Sequence, residues 1–297
     1  MNKKIKIILV GASGLILIIF SLITSLPDGK LLLVFCDVGQ GDATYIRTPG
    51  GADILVDGGP DSKVLDCLSK HMPFWDRDLE LVLLTHPQAD HLSGLLGVLQ
   101  RYKVESFGIG VEGNDSQGYK GLIDLLKKNN VKIFNPFLGQ KIAFEDGVSF
   151  DVVWPDSDWV ASQVGEAPLR QGFAGQGAVL GVSTKTDLNI FSTVLLLRYK
   201  DFDALLTGDA DSTIQAEILK DNNLGQADVL KVPHHGSKTA LLDNFLNTIK
   251  PKMAVISVGK NSYGHPNAEL IERLKVIGAS IKRTDEGEVE IVSNGDK

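Results

Sequence analysis

Residues 83–94 read LLTHPQADHLSG, and they are the most informative stretch of this 297-residue chain. The hydrophobic run that ends at Leu84 predicts a buried strand, and an apolar pattern of helical spacing begins at Leu92. Between them lie three side chains that carry an imidazole or a carboxylate: His86, Asp90 and His91. Because the segment between strand end and helix start is short, these groups can converge on one point. Imidazole and carboxylate suit Zn²⁺, Mn²⁺ or Fe²⁺, so the stretch predicts a metal site.

Three further motifs place polar side chains directly after predicted strands: Asp209 in LLTGDAD, His234 and His235 in VPHHGS, and His265 in SVGKNSYGHP. One Thr-Gly-Asp sequence alone would be ordinary turn chemistry. Four strand-end motifs in one chain are much harder to attribute to chance. Two adjacent buried histidines without a chemical role would also be costly to satisfy. Together the motifs predict a single metal-dependent site.

The composition limits the classes of protein to which the chain can belong. Hydrophobic residues make up 43% and charged residues 23%, which excludes a wholly disordered or fibrous chain. Two cysteines, Cys36 and Cys67, exclude a disulfide-rich scaffold and a Cys-based zinc finger. The formal net charge of -7 argues against nucleic-acid binding through a broad basic surface. A nuclease is still compatible with this charge, because bound metal ions supply local positive charge.

The N-terminal segment has a different character from the rest. Residues 7–26 carry no charge, and a helix of that length spans roughly 30 Å of hydrocarbon. Three lysines and no acid precede the run. The positive-inside tendency therefore predicts a cytoplasmic segment 1–6, a transmembrane anchor 7–26 and an extracytoplasmic domain 27–297 in the cell membrane. A cleaved signal peptide is the alternative, although the run is longer than a usual signal core and lacks an A-x-A-like site.

The remaining chain alternates predicted strands and helices. Strand patterns occur at 31–37, 43–47, 53–57, 79–84, 148–153, 193–198, 204–207, 229–232, 254–258 and 289–292. Helical patterns occur at 61–71, 92–102, 118–129, 212–221, 240–248 and 267–276. This mixture predicts an α/β fold with two packed sheets and helices outside them. Residues 159–187 contain five glycines and little apolar periodicity, which predicts a long mobile surface loop.

Six motifs together resemble those of the metallo-β-lactamase-fold hydrolases. More narrowly, they resemble the extracytoplasmic hydrolase domain of the ComEC competence proteins and their stand-alone relatives. The motifs are DVGQGDA (37–43), LVDGG (55–59), the TH and DH pairs of 85–91, TGD (207–209), PHHGS (233–237) and YGHP (263–266). The resemblance spans residues 31–292. It implies an αββα sandwich with a metal centre at one edge between the sheets.

The resemblance also implies a set of metal ligands. The superfamily pattern is H-x-H-x-D-H, and here Gln88, a poor zinc ligand, replaces the second histidine. The histidine that usually precedes the bridging aspartate is absent from 189–192, so the metal position around His86 has lost two imidazoles. The other position keeps Asp90, His91, the bridging Asp209 and one of His234 and His235, with His234 taken as the ligand. We therefore expect one firm site for Zn²⁺ or Mn²⁺ and a second, weak site.

Catalytic roles are implied in the same way. A metal-bound water would attack phosphorus or a carbonyl carbon, and Asp209 would bridge or position the metals. Asp90 is placed among the catalytic residues as well as among the ligands. His235, if it is not a ligand, would hydrogen-bond the substrate oxyanion, and His265 is a candidate proton donor to the leaving group. Three further carboxylates belong to Asp37, Asp42 and Asp57. They either support the ligands or bind metal weakly, or they are ordinary turn residues.

Three functions are compatible with these features. The first is a membrane-anchored metal-dependent phosphodiesterase, implied by the resemblance to be a nuclease that acts on DNA during uptake. One anchor is too little to transport DNA, so that role would require a separate competence channel as partner. The second is a metallo-hydrolase of a phosphocholine-type ester, a lactone or a thioester, and the third is a degenerate metal-binding module. Metal analysis separates the third from the others, and turnover of phosphodiesters against lactones separates the first two.

Overall fold

A computed structural model describes residues 29–165, 178, 180–184, 186–221 and 224–296. The predicted membrane anchor at 7–26 lies outside the described residues. Within the described ranges, no helix has both the length and the apolar character needed to cross a membrane.

The first of two large sheets is built mainly from the N-terminal half of the chain. Its strands are β1 (Leu31–Phe35), β2 (Thr44–Arg47), β3 (Asp53–Val56), β4 (Asp78–Leu84), β5 (Lys103–Ile109), β7 (Lys132–Phe134) and β16 (Val289–Ser293). Their order is β16-β1-β2-β3-β4-β5-β7, so the last strand of the chain closes the edge beside β1. A short strand, β6 (Glu112–Gly113), pairs in parallel with β10 (Val182–Ser183) apart from this sheet.

The second large sheet comes from the C-terminal half. Its strands are β8 (Lys141–Ala143), β9 (Ser149–Trp154), β11 (Val194–Tyr199), β12 (Phe202–Leu206), β13 (Val229–Lys231), β14 (Met253–Ile256) and β15 (Ser280–Arg283). They lie in the order β15-β14-β13-β12-β11-β9-β8. The part from β12 to β15 is parallel, which requires a crossover between successive strands.

Helices cover the outer faces of both sheets. The outer face of the first sheet packs against α1 (Lys63–His71), α2 (Ala89–Arg101) and α3 (Gln117–Lys128). After α4 (Ser157–Val164), the second sheet is covered by α5 (Ser212–Asp221), α6 (Asp243–Ile249) and α7 (Ala268–Val276). A third apolar cluster fills the space between the sheets. The expected α/β sandwich of two sheets between helical layers is therefore confirmed.

Strand β1 shows how one segment supplies two cores. Leu33 and Phe35 face the second sheet, whereas Val34 points to the helical side of its own sheet. Successive side chains of a strand point to opposite faces, and here both faces are covered. A strand buried on both faces is hydrophobic at every position, so β1 reads in the sequence as a continuous apolar run.

The direction of the parallel strands assembles the predicted motifs. Strands β3, β4 and β5 are parallel in the first sheet, as are β12, β13 and β14 in the second. Parallel strands end at the same edge of a sheet, where ligands bind in such folds. The residues that follow β4, β12 and β13 include His86, Asp209 and His235 respectively. All three therefore meet at one edge between the two sheets.

Two local expectations are corrected. Helix α2 begins at Ala89, so Asp90 and His91 belong to its first turn and not to a preceding loop. A carboxylate is favourable there, because free backbone N–H groups make a helix N-terminus electropositive. In the expected loop 159–187, the first six residues are helical as part of α4. Trp159 in α4 packs against Trp154 and Phe191, with ring centroids 4.7 and 5.4 Å away.

The mobility expected for the rest of that loop stays a prediction. Residues 166–177, 179 and 185 lie outside the described residues. Six of the described strands were not expected from the sequence: β5, β6, β7, β8, β10 and β15. The β5 sequence KVESFGI mixes charged and apolar residues without clear alternation, and so it lacks the pattern that reveals a strand.

Cys36 and Cys67 form a disulfide that joins the end of β1 to α1, with Cα atoms 5.9 Å apart. The two residues are 31 positions apart in the chain. This bond was not predicted from the sequence, because the pairing depends on how the helix packs on the sheet. Cys36 directly precedes loop 37–43, which contributes Asp42 to the site described below.

Candidate metal centre

Four metal-binding side chains come together at the shared strand edge: Asp90, His91, Asp209 and His235. One donor atom from each lies within 4.8 Å of those of the others. His91 Nε2 is 3.4 Å from Asp209 Oδ1. His235 Nε2 is 3.3 Å from Asp90 Oδ2 and 3.7 Å from Asp209 Oδ2. The carboxylate of Asp209 thus presents one oxygen to each histidine.

These separations fit a single bound ion. Donor atoms about 2.1 Å from a tetrahedrally coordinated metal lie roughly 3.4 Å from one another. His91 Nε2 and Asp209 Oδ1 are buried and have no hydrogen-bond partner among the described residues. Buried polar atoms without a partner are costly, and a metal bound between them would remove that cost. The two imidazoles and two carboxylates present here are suitable for Zn²⁺ or Mn²⁺.

Each ligand histidine is held through its other ring nitrogen. His91 Nδ1 lies 2.8 Å from Asp57 Oδ2, and Asp57 also accepts hydrogen bonds from the backbone N–H and hydroxyl of Thr85. His235 Nδ1 lies 2.9 Å from the carbonyl oxygen of Ser257. When Nδ1 donates to an acceptor, Nε2 is left as the metal-binding atom. Both rings are therefore oriented with Nε2 towards the centre.

The backbone of the HHG turn separates two adjacent histidines. His234 and His235 have φ values of 48° and 52°, and Gly236 follows with φ 74°. The left-handed region is unfavourable for residues other than glycine, so a strained turn here indicates a functional constraint. The turn directs His235 into the centre, whereas His234 Nδ1 lies 3.7 Å from Asp211 Oδ2. The four-donor group thus contains His235 in the place for which the sequence analysis chose His234.

A buried lysine and Asp42 complete the charge balance. Lys231, the last residue of β13, is 3% exposed and its ammonium pairs with Asp42. The same Nζ donates a 2.8 Å hydrogen bond to the Gly208 carbonyl and lies 3.8 Å from Asp209 Oδ1. Lys231 was not predicted from the sequence as part of the site. Its signal was present, because a charged residue stands in the otherwise apolar strand VLKV.

The electrostatics keep the carboxylates ionised. Burial alone would raise the pKa of Asp90, but its hydrogen bond with His235 and the charge of His91 lower the pKa to about 2. Burial likewise opposes ionisation of Asp209, and His235, His91 and Lys231 hold its pKa well below the usual range. Ionised oxygens are the form of a carboxylate that binds a metal ion.

The second metal position is built differently. His86 is fully buried, and burial lowers its pKa to about 3, so the ring is neutral. Its Nδ1 lies 3.2 Å from the hydroxyls of Ser192 and Thr85, and its Nε2 has no hydrogen-bond partner among the described residues. Gln88 hydrogen-bonds through its Nε2 to the Asn189 side chain. The two segments where the superfamily usually has imidazoles are therefore connected by an amide–amide hydrogen bond.

A pocket of about 790 Å³ opens beside the centre. Asp90, His235 and Gln88 are among its lining residues. His265, the candidate proton donor, also lines the pocket, together with His234 and Lys260. Lys238, which directly follows the PHHGS motif, is exposed and is not among the lining residues.

The three additional carboxylates have separate positions. Asp57 supports His91, and Asp42 lies between Lys231 and His235, with Oδ1 3.6 Å from His235 Nδ1. Asp37 is exposed, and its carboxylate accepts a hydrogen bond from the backbone N–H of Gly39. The geometry thus groups Asp42 and Asp57 with the centre and leaves Asp37 as a turn residue.

Comparison with known proteins identifies the family. The model of the metallo-beta-lactamase superfamily matches residues 36–260. This match covers most of the chain, and the chain therefore belongs to the metallo-beta-lactamase superfamily.

Within that superfamily, the chain is similar to competence proteins. It is 28% identical to recombination protein 2 of Haemophilus influenzae, over 95% of this chain and 31% of the relative. It is 25% identical to ComE operon protein 3 of Bacillus subtilis, over 84% of this chain and 31% of the relative. The chain therefore spans about a third of the length of these relatives.

A solved structure shows the same fold. The metallo hydrolase Igni18 from Ignicoccus hospitalis superposes with a TM-score of 0.53 at 15% identity, over 88% of this chain and 98% of that one. The superfamily fold and the candidate ligand group together define a metal-dependent hydrolase fold related to competence proteins.

Proposed function

We propose that this chain is a metal-dependent phosphodiesterase that cleaves DNA or another nucleotide phosphodiester. The observation that carries the proposal is the Asp90–His91–Asp209–His235 group at the wall of a pocket that is also lined by His234, His265 and Lys260. Among the lining residues, Asp90 is the only acid, and it belongs to the ligand group. A pocket with imidazole and ammonium groups facing a metal centre suits an anionic substrate such as a phosphodiester.

The residues around the pocket have distinct proposed roles. Asp90, His91, Asp209 and His235 hold the ion, which when bound activates water as a nucleophile and polarises the phosphoryl oxygen. His234, held near Asp211, hydrogen-bonds a non-bridging oxygen of the substrate. His265 delivers a proton to the leaving oxygen. This assignment exchanges the roles that the sequence analysis chose for His234 and His235, because only the His235 ring faces the other three donors.

The position around His86 is proposed as weak. Gln88 offers a neutral amide in place of imidazole and is already engaged with Asn189. A hard ion such as Mn²⁺ or Mg²⁺ accepts oxygen ligands better than Zn²⁺ does. We infer that this position fills only when substrate oxygens complete it.

The test is metal analysis with a substrate panel. The parent chain should contain about one tightly bound ion and should hydrolyse bis-p-nitrophenyl phosphate faster than a phosphomonoester or a lactone. Asp209→Ala should lose both metal and turnover, since it removes the carboxylate shared by both histidines. As a control, Asp228→Ala removes a carboxylate near the start of β13, away from the centre, and should keep both. Faster lactone turnover would favour the alternative hydrolase, and a metal-binding chain without turnover would favour a binding module.

The location is also a proposal. We infer a single-pass anchor at 7–26 with the domain outside the cytoplasm, as part of a DNA-uptake system that has a separate channel. The Cys36–Cys67 disulfide supports this location, because disulfides persist mainly in oxidising compartments. Protease added to spheroplasts should digest the domain; a fully protected domain would contradict the topology.

A further inference from the structure

Loop 259–266 presents an exposed aromatic ring at the pocket. Tyr263 is 75% exposed, yet it lines the same pocket as Asp90 and His235. An aromatic ring left in water keeps apolar surface that a ligand can cover. The ring therefore offers apolar surface within the pocket that also holds Asp90 and His235.

A row of rings connects Tyr263 to the centre. The His235 and His234 ring centroids are 6.3 Å apart, and the His234 and His265 centroids are 5.8 Å apart. The Tyr263 ring follows, 5.8 Å from His265 and tilted by 36° to it. A group bound at the metal centre therefore shares one pocket with the Tyr263 ring. A nucleic-acid strand with a phosphate at the centre would continue along this pocket, so that one of its bases can meet the ring.

The loop is ordered by its own hydrogen bonds. The Asn261 side chain donates to the carbonyl oxygens of Gly259 and His265, each at 2.8 Å. Its Oδ1 accepts from the backbone N–H groups of Tyr263 and His265, each at 3.1 Å. Gly259 also packs on the backbone of Gly39, so closely that a Cβ at Gly259 would lie 2.3 Å from the Gly39 carbonyl carbon. A platform that is already ordered loses little conformational entropy when a ligand binds.

We propose that Tyr263 is a stacking platform for a nucleobase next to the scissile phosphate, and that it makes unpaired nucleic acid the preferred substrate. The proposal rests on the phosphodiesterase function proposed above. An aromatic platform of this kind binds any base, since every base has a π-face, whereas a base within a duplex is already stacked and paired. Lys260, the neighbour that also lines the pocket, would contact a flanking phosphate.

The test compares substrates with and without bases. Full-length chain in detergent is assayed with Mn²⁺ on a thymidine dinucleotide and on the same phosphodiester with both bases removed. Tyr263→Ala should raise KM for the dinucleotide about 5- to 150-fold, the range expected for one stacked base, and leave kcat nearly unchanged. It should not change KM for the base-free substrate. Tyr263→Phe, which keeps the ring, should behave as the parent.

Phe74→Ala is the matched control, because it removes another exposed aromatic ring, 63% exposed, that does not line the pocket. An unchanged KM for the dinucleotide in Tyr263→Ala would overturn the proposal, and so would equal shifts for both substrates. If the parent hydrolyses neither substrate, the proposed function fails. Binding of a fluorescent single-stranded oligothymidine then decides the stacking proposal. Binding that is lost in Tyr263→Ala and kept in Tyr263→Phe supports it, and binding that is absent or independent of Tyr263 overturns it.

Discussion

Asp57 Oδ2 lies 2.8 Å from His91 Nδ1, on the side of the ring opposite to the centre. Both side chains are buried, and Asp57 adopts a left-handed backbone conformation with φ 61°. The carboxylate therefore determines which nitrogen of His91 faces the metal. A carboxylate in this position also raises the basicity of the ligand nitrogen.

Asp57→Asn should weaken metal binding about 10- to 100-fold, because the amide is a weaker acceptor that leaves the orientation of His91 less restricted. The measurement is competition for metal against a chelator of known affinity. Asp53→Asn provides the control. Asp53 is a similarly buried carboxylate bonded to Tyr45 and Arg47, remote from the ligand group. A metal affinity reduced equally in both variants would indicate general loosening of the fold instead.

His235→Ala and His234→Ala should differ, although the two residues are adjacent. His235 lies in the four-donor group, so its removal should lose most of the bound metal. His234 faces the pocket and Asp211, so its removal should keep the metal and lower kcat, by about 10²- to 10³-fold if it stabilises a developing oxyanion. Metal content and steady-state kinetics of both variants are the measurements. If His234→Ala loses the metal and His235→Ala keeps it, His234 is the ligand, as first predicted from the sequence.

Gln88→His should raise the zinc content per chain. The substitution gives the position near His86 a second imidazole, so that two nitrogens and Asp209 approach a three-ligand zinc site with water as the fourth ligand. It also breaks the Gln88–Asn189 hydrogen bond. We expect a partial gain in occupancy, since the segment 189–192 still has no histidine, and a shift away from Mn²⁺ or Mg²⁺ dependence.

Gln40→His is the matched control, because Gln40 also lines the pocket but hydrogen-bonds to Gly259, away from His86. Zinc stoichiometry and metal-dependent rates are measured for all three proteins. Equal zinc content and the same metal preference in Gln88→His and the parent would mean that residue 88 has no part in metal binding.

Glu112 should make stability depend on pH. Burial raises its pKa from the usual 4.5 to about 8, so the folded chain keeps this carboxyl protonated while the unfolded chain ionises it. The contribution of the protonated Glu112 carboxyl to the free energy of unfolding is complete below about pH 4.5. It is lost as pH rises towards 8. Relative to Glu112→Gln, the free energy of unfolding of the parent should fall on the order of 2–4 kcal/mol between pH 5 and 8.

Urea unfolding in the presence of EDTA measures this difference without a contribution from bound metal. Glu105→Gln is the control, because Glu105 is exposed on β5 and should leave the pH profile of the parent unchanged. A parent and a Glu112→Gln variant with parallel profiles would show that Glu112 is ionised in the folded chain.

Replacing Cys36 and Cys67 together by serine should lower the free energy of unfolding by about 2–5 kcal/mol. The disulfide closes a loop of 31 residues and so restricts the unfolded chain. Thermal unfolding with and without reductant is the measurement. The parent should lose stability when reduced, whereas the double variant should respond to reductant no further. If full reduction of the disulfide leaves the thermal stability of the parent unchanged, the bond does not stabilise the folded chain.

Local sequence patterns were sufficient to predict the class of fold and the chemistry of the site. Apolar runs of strand length, helical periodicity and polar residues after strand ends are local patterns, so they are legible without a structure. They predicted the two-sheet sandwich and named His86, Asp90, His91 and Asp209. The same local reasoning missed β5, whose pattern is mixed, and placed the start of α2 three residues late.

Which of the adjacent histidines faces the other ligands depends on long-range packing. The choice depends on two consecutive left-handed residues and on the Ser257 carbonyl, which comes from a different strand end. The pairing of Lys231 with Asp42 and the Cys36–Cys67 disulfide also depend on long-range packing. Each joins residues far apart in the chain, and their distance is set by how strands order and sheets pack. A local pattern states which side chains are available, whereas long-range packing determines which of them meet.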